Sequence, residues 1–463
     1  MMFRHVKKLH FVGIGGIGMS GIAELLLNQG FKISGSDIND SKVIQNLKNK
    51  GAKIFKGHDS KNLSNADVLV YSSAVKKDNP EIIAAIKKNV PIIRRAEMLG
   101  ELIALKETSI GVAGTHGKTS TSSMVGTMLS QARLDPTLVV GGLVRNIDTN
   151  SLLGEGDIIV VEADEFDRSF LSLQRTIGII TNIELEHTDC YEDLYDLQNA
   201  FTQFANASPF YGAVIIGNQS PAAAKIIPNI KRPVITFGLS KKSDFYASEI
   251  IHNKSETTFT VFHKKEKLGV IHLQVPGEHN VLNALASVAL GIEMNIPFHD
   301  IAAGLESYKG VRRRFDIKGE ANGIMVVDDY AHHPTEVRVT LDSARNGWSR
   351  RIVSVFQPHL YSRTKAFYEE FAIALMKADI LVITDVFPAR EKPIEGVNGR
   401  MVAEFAKKTG HKNVYYIEDL KNLEKKLDNL CQQNDMVITI GAGNIWRYAE
   451  SYMNHLTKLE EAA

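Results

Sequence analysis

A glycine-rich loop with a lysine and a threonine follows an apolar run near residue 110. The segment GTHGKT, residues 114–119, lies between the run SIGVA and the helical pattern TSSMVGTML. Backbone amides of such a loop cradle phosphates, the lysine neutralises their charge and the threonine hydroxyl binds Mg²⁺. The loop departs from the usual GxxxxGK[ST] pattern, because Val112 stands five positions before Gly117. These residues predict nucleoside-triphosphate binding, with a chance GKT as the alternative.

Acids and a histidine follow two further apolar runs. Glu162, Asp164 and Glu165 come after IIVV, and His187 comes after IGIITNI. Carboxylates at the carboxyl end of a parallel strand lie over the ligand crevice and can hold Mg²⁺. One metal ion needs fewer than three acidic ligands. We therefore expect at least two of Asp164, Glu165 and Asp167 to lie in a solvated loop and to bind no metal. His187 is either a structural residue or an unusual Mg²⁺ ligand, since Mg²⁺ prefers oxygen.

The N-terminal segment carries a second glycine motif. GIGGIG occupies residues 13–18, between an apolar run and a helical pattern, and Asp37 follows about twenty residues later. Glycines allow a diphosphate to approach the backbone, and the helix N-terminus offers N–H groups to the anion. The motif commonly binds NAD or FAD, but the diphosphate alone satisfies it. A tight turn between strand and helix, without a ligand, is the alternative.

Polar residues also cluster in the helical segment GEHNVLNALASVA and in the C-terminal third. Asn280 can cap the helix, whereas Asn283 lies inside it and can pair with an adenine edge.

In the C-terminal third, basic and acidic groups near strand ends predict recognition of phosphate and carboxylate together. Three successive arginines cannot all face one pocket, so one working and two solvated arginines are expected. These C-terminal residues are Arg312, Arg313, Arg314, the segment DDYAHHP at 328–334, His359 and Arg363.

Apolar runs alternate with amphipathic segments along the whole chain, which is typical of βαβ units and parallel sheets. Three such series occur, with joints near Lys106 and Gly310. The expected fold class is α/β with three domains: a Rossmann-like N-terminal domain at 1–106, a central P-loop ATPase domain at 107–310 and a Rossmann-like C-terminal domain at 311–463.

Composition excludes several classes of protein. Of 463 residues 44% are hydrophobic, and 54 Lys and Arg balance 53 Asp and Glu, so neither nucleic acid nor an anionic membrane is an expected partner. Cys190 and Cys431 lie far apart without a CxxC spacing, which argues against disulfides and structural zinc and suits a cytoplasmic protein. No run reaches about 18 apolar residues, and glycines interrupt the N-terminal apolar stretch, so neither a membrane span nor a signal peptide is expected.

Together the motifs GTHGKT, EADEFD, TNIELEH, GEHNVLNALA, RRRFD, DDYAHHPTE and FQPH resemble the Mur ligase family, in family order and along nearly the whole chain. The N-terminal GIGGIGMSGIAELL is most similar to the alanine-adding branch. The resemblance implies an ATP- and Mg²⁺-dependent ligase of peptidoglycan precursor synthesis, either a monomer or a weak dimer. The implied ligase would join L-alanine to the lactyl carboxylate of UDP-N-acetylmuramate through an acyl phosphate.

Three alternatives stay open from the residues. A ligase that attaches a recycled tripeptide to the same sugar acid is the nearest one within the family. An NAD-dependent dehydrogenase leaves GTHGKT and EADEFD unexplained, and a P-loop switch protein leaves the third domain without a role.

The resemblance also implies a role for individual residues. ATP binding is expected of Gly114, Thr115, His116, Gly117, Lys118, Thr119, Ser120, Asn283, Arg314 and Asp329. Mg²⁺ is expected on Thr119, Glu162 and His187. The UDP-sugar is expected on Gly13, Gly15, Gly16, Gly18, Asp37 and Ser72. Catalysis is expected to involve Lys118, His332, His333 and Arg363. The sequence departs from some relatives at Leu360, where they have arginine, and no Lys occurs between His187 and Lys225.

Overall fold

The computed structural model describes residues 5–72, 74–76, 78–104, 106–186, 190–389 and 391–462. Within these ranges the strands form sheets of five, ten and six strands joined by helices, which confirms the expected α/β class. By contacts the chain divides into two compact units. The first comprises Met1–Glu249, Phe259–His272 and Asn280–Lys309, and the second comprises Ile250–Thr258, Leu273–His279 and Gly310–Ala463. No helix of the described residues is long and apolar enough to cross a membrane.

The N-terminal sheet is parallel, with the spatial order β3-β2-β1-β4-β5. The order reverses between β1 and β4, and open α/β sheets bind ligands at such a switch point. Its strands are β1 (Lys8–Val12), β2 (Lys32–Asp37), β3 (Lys53–Lys56), β4 (Val68–Tyr71) and β5 (Ile92–Arg94). Its helices are α1 (Ile17–Asn28), α2 (Lys42–Asn49), α3 (Pro80–Lys87) and α4 (Arg95–Ile103), with a 3₁₀ helix at Ser60–Leu63.

A buried glutamate ties the elements of this sheet together. Glu81, at the start of α3, is fully buried, and its Oε2 accepts from Ser36 Oγ at 2.6 Å and lies 3.3 Å from His10 Nε2. Its Oε1 accepts from Asn62 Nδ2 at 2.7 Å and from the Asp59 backbone N–H at 3.2 Å. Burial alone raises the pKa of Glu81, but the hydrogen bonds from these neighbours outweigh it and lower the pKa.

The central sheet has the order β15-β14-β13-β12-β11-β10-β6-β9-β7-β8. Strand β6 pairs in parallel with β10 on one side and with β9 on the other, so the loops that follow these strands leave at the same edge. The strands are β6 (Thr108–Ala113), β7 (Thr137–Val144), β8 (Thr149–Leu152), β9 (Ile158–Glu162), β10 (Ile177–Ile180), β11 (Ala213–Gly217), β12 (Val234–Gly238), β13 (Phe245–Asn253), β14 (Glu256–His263) and β15 (Glu266–Leu273).

Helix α5 (Lys118–Gln131) follows β6 and is buried on nearly all faces despite its serines and threonines. Ser122 Oγ and Ser123 Oγ donate to the carbonyls of Lys118 and Thr119 one turn earlier, at 2.9 and 2.7 Å. These local bonds satisfy the hydroxyl groups and allow the burial. The remaining helices of this region are α6 (Leu194–Asn206), α7 (Pro221–Ile226), α8 (Glu278–Glu293) and α9 (Phe298–Glu306), with 3₁₀ helices at Phe166–Ser172 and Ile227–Asn229.

The C-terminal sheet has the order β16-β17-β21-β18-β19-β20, with β16 antiparallel to β17 and the other pairs parallel. Its strands are β16 (Asp316–Ala321), β17 (Ile324–Asp329), β18 (Arg351–Phe356), β19 (Ile380–Thr384), β20 (Val414–Ile417) and β21 (Asp435–Ile440). Its helices are α10 (Pro334–Gly347), α11 (Tyr361–Leu375), α12 (Arg400–Lys408), α13 (Leu423–Leu430) and α14 (Ile445–Ala462), with a 3₁₀ helix at Leu420–Asn422.

Replacing Glu81 tests the buried network of the N-terminal sheet. We expect Glu81→Gln to lower the free energy of unfolding by about 3 kcal/mol or more, because the amide leaves buried donors without a charged acceptor. The lowered pKa of Glu81 means that its contribution is complete above the usual glutamate pKa, about 4.3, and is lost as the pH falls through the folded value. Urea unfolding at pH 7 and pH 4 therefore shows a smaller difference between variant and wild type at pH 4.

Glu101→Gln, at an exposed position of the same domain, is the matched control and changes stability by less than about 0.5 kcal/mol. An equal effect of the two variants at pH 7 would contradict the role given to Glu81.

Candidate active site

Two glycines shape the loop between β6 and α5. Gly114 has φ +132°, and a Cβ built on it would lie 2.0 Å from Thr181 Oγ1. Gly117 has φ +80°, and a Cβ there would lie 2.6 Å from Asn283 Oδ1. Neither position accepts a side chain without displacing a neighbour, so the loop backbone lies closer to the sheet and to α8 than any other residue would permit. Such a loop, opening onto the N-terminus of α5, fits the phosphate chain of a nucleotide.

The segment after β10 holds this loop in place. The Asn182 side chain accepts from the His116 N–H at 2.9 Å and donates to the His116 carbonyl at 3.0 Å. Thr181 Oγ1 donates to the same carbonyl at 2.6 Å. Thr115 Oγ1 donates to the Glu184 carbonyl at 3.0 Å and accepts from the Glu184 N–H at 2.9 Å. The TNIE segment is therefore a scaffold for the glycine loop, a role that the sequence did not indicate.

Lys118, the predicted phosphate ligand, pairs with Glu165. Its Nζ lies 2.8 Å from Glu165 Oε2, and the Glu165 side chain is only 1% exposed. Burial lowers the pKa of Lys118, but the charges of Glu165, Asp164 and Glu186 and the hydrogen bond to Glu165 together outweigh this and raise it, so the ammonium stays charged. Asp167 is exposed and the Asp164 side chain is 41% exposed, which agrees with the expectation that at least two of the three acids are solvated, and Glu165 is the buried one. Spacing along the chain could not reveal this pair, because it depends on β9 lying beside β6.

Two of the three predicted metal ligands lie together. Thr119 Oγ1 donates to Glu162 Oε1 at 3.1 Å, and Glu162 Oε2 accepts from the Gly141 N–H at 2.7 Å. A hydroxyl and a carboxylate beside the glycine loop are the hard oxygen donors that Mg²⁺ prefers, so these residues fit the ion. His187, the third predicted ligand, lies outside the described residues, and its role stays a prediction.

Asn283 lies against the glycine loop, and its side chain forms hydrogen bonds with other side chains of the protein, one of them Asn280. Asn283 Oδ1 accepts from Thr121 Oγ1 at 3.1 Å, and its Nδ2 donates to Asn280 Oδ1 at 3.2 Å. Asn283 thereby joins α8 to α5, and its contact with adenine stays a prediction. The capping interpretation of Asn280 is wrong, because α8 begins at Glu278 and places Asn280 inside its first turn. Ser120, another predicted ATP residue, is buried within α5.

The N-terminal glycine loop lies at the switch point of its sheet. Gly13 has φ +78°, and a Cβ on it would meet Ser72 Cβ at 3.4 Å, so the ends of β1 and β4 adjoin here. The Gly15 N–H donates to Asp37 Oδ2 at 2.9 Å, which brings the end of β2 to the same place. Gly16 is the N-cap of α1 and has no side-chain cap, which leaves first-turn N–H groups for an anion.

An arginine that the sequence interpretation overlooked reaches this loop. A Cβ built on Gly18 would lie 2.7 Å from Arg95 Nη1, so the guanidinium lies against the first turn of α1. Arg95 Nη2 is also 3.9 Å from Asp164 Oδ2 in the acidic segment. Its location, directly after β5 in the run RRAEML, was the available signal, since a cation after a strand end suits a phosphate.

In the C-terminal sheet the predicted nucleotide residues Arg314 and Asp329 belong to one polar cluster. Asp329 accepts from the Phe315 and Ala331 N–H groups, both at 2.8 Å. Burial raises the pKa of Asp329 to about 6, against the lowering effect of Arg314. Arg314 Nη1 lies 3.5 Å from Glu336 Oε1.

The two other arginines differ from each other. Arg312 is exposed, as expected, but the interpretation of Arg313 as solvated is wrong. Arg313 Nε donates to the fully buried Asp328 at 3.0 Å, and its Nη2 donates to the Gly441 carbonyl at 2.6 Å. Arg313 therefore joins β17 to the end of β21.

Of the three residues predicted near the amino acid, Arg363 and His332 both lie beside His359. Arg363 Nη1 is 3.5 Å from His359 Nδ1, and the His359 ring centroid is 6.1 Å from that of His332. His333 instead caps α10: its ring is buried, and its Nδ1 accepts from the Thr335 N–H at 3.4 Å. The Nδ1 of His332 is engaged as well, by the Tyr330 carbonyl at 3.0 Å and Glu336 Oε2 at 3.3 Å, but the His332 side chain is 20% exposed whereas His333 is buried.

Family models cover most of the chain. The model of the Mur ligase family catalytic domain matches residues 8–107, that of the Mur ligase middle domain matches 112–291, and that of the Mur ligase glutamate ligase domain matches 313–443.

Relatives that match this chain over nearly its whole length are named for the same enzyme activity. UDP-N-acetylmuramate--L-alanine ligase of Geotalea uraniireducens is 49% identical, over 98% of this chain and 99% of the relative. The ligase of the same name from Salinibacter ruber is 48% identical, over 97% and 95%. The crystal structure of UDP-N-acetylmuramate-alanine ligase from Thermotoga maritima superposes with a TM-score of 0.84 at 31% identity, covering 97% of this chain and 99% of that one.

Substitution of Gly114 tests whether activity requires the glycine loop to keep its present position against the sheet. We expect Gly114→Ala to weaken turnover of MgATP at least about 10²-fold, because the added methyl group would overlap Thr181 Oγ1 and a displacement of about 1 Å is costly in a reacting site. Gly30→Ala is the control, since Gly30 also has positive φ, +88°, but open space around it. The control loses about 1 kcal/mol of stability and keeps its activity. Equal activities of the two variants would show that the loop tolerates displacement.

Proposed function

The chain belongs to the Mur ligase family, and from this membership we propose that it joins L-alanine to the lactyl carboxylate of UDP-N-acetylmuramate with hydrolysis of ATP to ADP and phosphate. The observation that carries the proposal is the meeting of Lys118, Thr119 and Glu162 at one edge of the central sheet, beside a loop that only glycine can form. A dehydrogenase has no use for these groups. The substrates of this reaction place it in the cytoplasm, as a step of peptidoglycan precursor synthesis.

ATP activates the sugar acid, because a carboxylate is a poor electrophile until its oxygen becomes a leaving group. The γ-phosphoryl group passes to the lactyl carboxylate and gives an acyl phosphate. Lys118 stabilises the charge that spreads over the phosphoryl oxygens, and the N–H groups at the start of α5 stabilise the phosphates behind it. Thr119 and Glu162 would hold Mg²⁺, which would supply further neutralisation of the phosphate charge.

The amine of L-alanine then attacks the acyl phosphate, and phosphate leaves from the tetrahedral intermediate. We propose His332 as the acceptor of the amine proton, because its ring is partly exposed, whereas the His333 ring is buried and its Nδ1 caps α10. Arg363, beside His359, is the cation proposed for the amino-acid carboxylate. Leu360, at φ +72°, is the N-cap of α11, so His359 and Arg363 lie on either side of the start of this helix.

The N-terminal sheet is proposed to anchor the UDP moiety. Gly13, Gly15, Gly16 and Gly18 leave the backbone accessible to the diphosphate, and Arg95 adds a cation that offsets its charge. Asp37 and Ser72 flank the loop from the ends of β2 and β4. Binding of the remote uridine end positions the reacting carboxylate, which is how unreactive parts of a substrate assist catalysis.

Alanine is favoured over a tripeptide as the second substrate. The full-length relatives named for the alanine ligase share about half of the sequence of this chain, 49% and 48%. A murein peptide ligase from Psychrobacter arcticus is 23% identical and shares the fold, with a TM-score of 0.73.

Phosphate release tests this proposal directly. Purified protein is incubated with UDP-N-acetylmuramate, MgATP and one amino acid at a time, and the highest rate is expected with L-alanine. Lys118→Ala should lower this rate by about 10²-fold or more, because one preorganised charge on the phosphates is lost. Lys225→Ala, an exposed lysine of α7, should retain the wild-type rate. Near-normal turnover by Lys118→Ala would refute the ATP assignment.

The sugar-nucleotide site is tested separately. Gly15→Val would place a side chain against Asp37 Oδ2 and Ile44 Cδ1, which lie 2.8 and 2.9 Å from the position of its Cβ. We expect the KM for UDP-N-acetylmuramate to rise at least about tenfold, or about 1.4 kcal/mol, while the KM for ATP stays unchanged. Thermal melting confirms that the variant is folded. Loss of ATP affinity, or protection of the protein by NAD instead of UDP-N-acetylmuramate, would show that the first domain is assigned wrongly.

A further inference from the structure

The ammonium of Lys118 is saturated with hydrogen-bond acceptors of the protein itself. It donates to the backbone carbonyls of Gly114 and Thr115 at 2.7 and 3.1 Å and to Glu165 Oε1 at 3.0 Å. A lysine ammonium has three donors, so these acceptors use all of them. A phosphate oxygen can therefore bind Lys118 only if one of the three acceptors gives way.

The carboxylate of Glu165 is the acceptor that can move. The carbonyls of Gly114 and Thr115 belong to a backbone that Asn182 and Glu184 hold in place, for example through the Thr115 N–H on the Asn182 carbonyl at 3.1 Å. The backbone of Glu165 is also held, because its carbonyl accepts from the Tyr191 hydroxyl at 2.6 Å. Of the three acceptors only the Glu165 carboxylate belongs to a side chain, which can rotate while its backbone stays in place, and a phosphate entering beside it brings like charge.

We propose that Glu165 is a positioning residue that holds Lys118 until a nucleotide enters, then yields the ammonium to the phosphates while its own carboxyl group takes up a proton from solvent. The inference rests on the proposed use of ATP at this loop. Glu165 does not touch the reacting atoms; it acts through Lys118.

The charges around Glu165 favour this exchange. Lys118 faces it from α5, Asp164 from its own segment, Glu186 from the segment after β10, and Tyr191 adjoins its backbone. Burial raises the pKa of Glu165, Lys118 lowers it, and the negative charges of Asp164 and Glu186 raise it again. Phosphates that draw Lys118 away remove the lowering influence and add negative charge, so the protonated carboxyl is favoured in the complex.

Calorimetric binding of the magnesium complex of the ATP analogue AMP-PNP tests the inference on the whole protein. Titrations in buffers of different ionisation enthalpy measure the protons taken up, and we expect up to one per nucleotide for wild type. The dissociation constant should rise between pH 7.5 and pH 9, by up to about tenfold per pH unit, because the ionised carboxylate must first be protonated. Titration of Glu165→Gln in the same buffers measures any protons that the probe itself exchanges, and these are subtracted from the wild-type count.

Glu165→Gln keeps the shape of the side chain and one acceptor for Lys118 but removes the charge. It should bind AMP-PNP more tightly than wild type at pH 9, with little pH dependence and no proton uptake. Asp167→Asn is the matched control: Asp167 is exposed at φ +52°, a conformation that asparagine tolerates, and this variant should behave as wild type.

Three outcomes separate the possibilities. Proton uptake and pH dependence equal in Glu165→Gln and wild type would overturn the inference, whatever the affinity. A Glu165→Gln variant that melts early leaves the wild-type titration to decide, and an uptake of zero protons there would also overturn it. Failure of wild type to bind AMP-PNP at any pH would instead overturn the ATP assignment of the proposed function.

Discussion

The parallel pairing of β6 with β9 and β10 is the constraint on which the nucleotide site depends. Val112 of β6 lies opposite Glu162 of β9, and Ala113 lies opposite Ile180 of β10. Neighbouring strands are about 4.8 Å apart, so three loops begin within about 10 Å of one another. The first supplies the glycine loop and Lys118, the second the carboxylates, and the third the polar scaffold that holds the loop. A shift of register in either pair would separate the groups that are proposed to act on the same phosphates.

Close packing behind the loop explains residues that carry no chemistry of their own. Gly117 faces Asn283, and Thr121 donates to the same amide oxygen, so α8 supports the loop from behind. Helix α5 meets neighbours on nearly every face, and its hydroxyl groups bond to its own carbonyls instead of requiring water. A rigid support of this kind is what allows a phosphate site to be preorganised, since a mobile loop would lose its orienting advantage.

Two buried glutamates in the first compact unit show different solutions to the cost of burying charge. Glu81 is surrounded by four donors, and these stabilise its charged form within the N-terminal sheet. Glu165 depends chiefly on one cation, Lys118, which is also the proposed ligand of the phosphates. The first arrangement is complete and suits a structural role. The second can be undone by a competing anion, which is why the same burial has a functional consequence there.

The sequence by itself determined the α/β class, the glycine loop and the candidate metal ligands Thr119 and Glu162, because glycine positions, apolar runs and motif order are local properties. Tertiary structure alone decided which acid pairs with Lys118, that Arg313 pairs with the buried Asp328, that Asn280 lies inside α8, and that Arg95 adjoins Gly18. These facts depend on which strand ends and helices meet, and no spacing along the chain encodes that meeting. From sequence alone an acidic residue is predicted to be solvated. Only the tertiary structure shows that a neighbouring strand brings a cation to its carboxylate and excludes water.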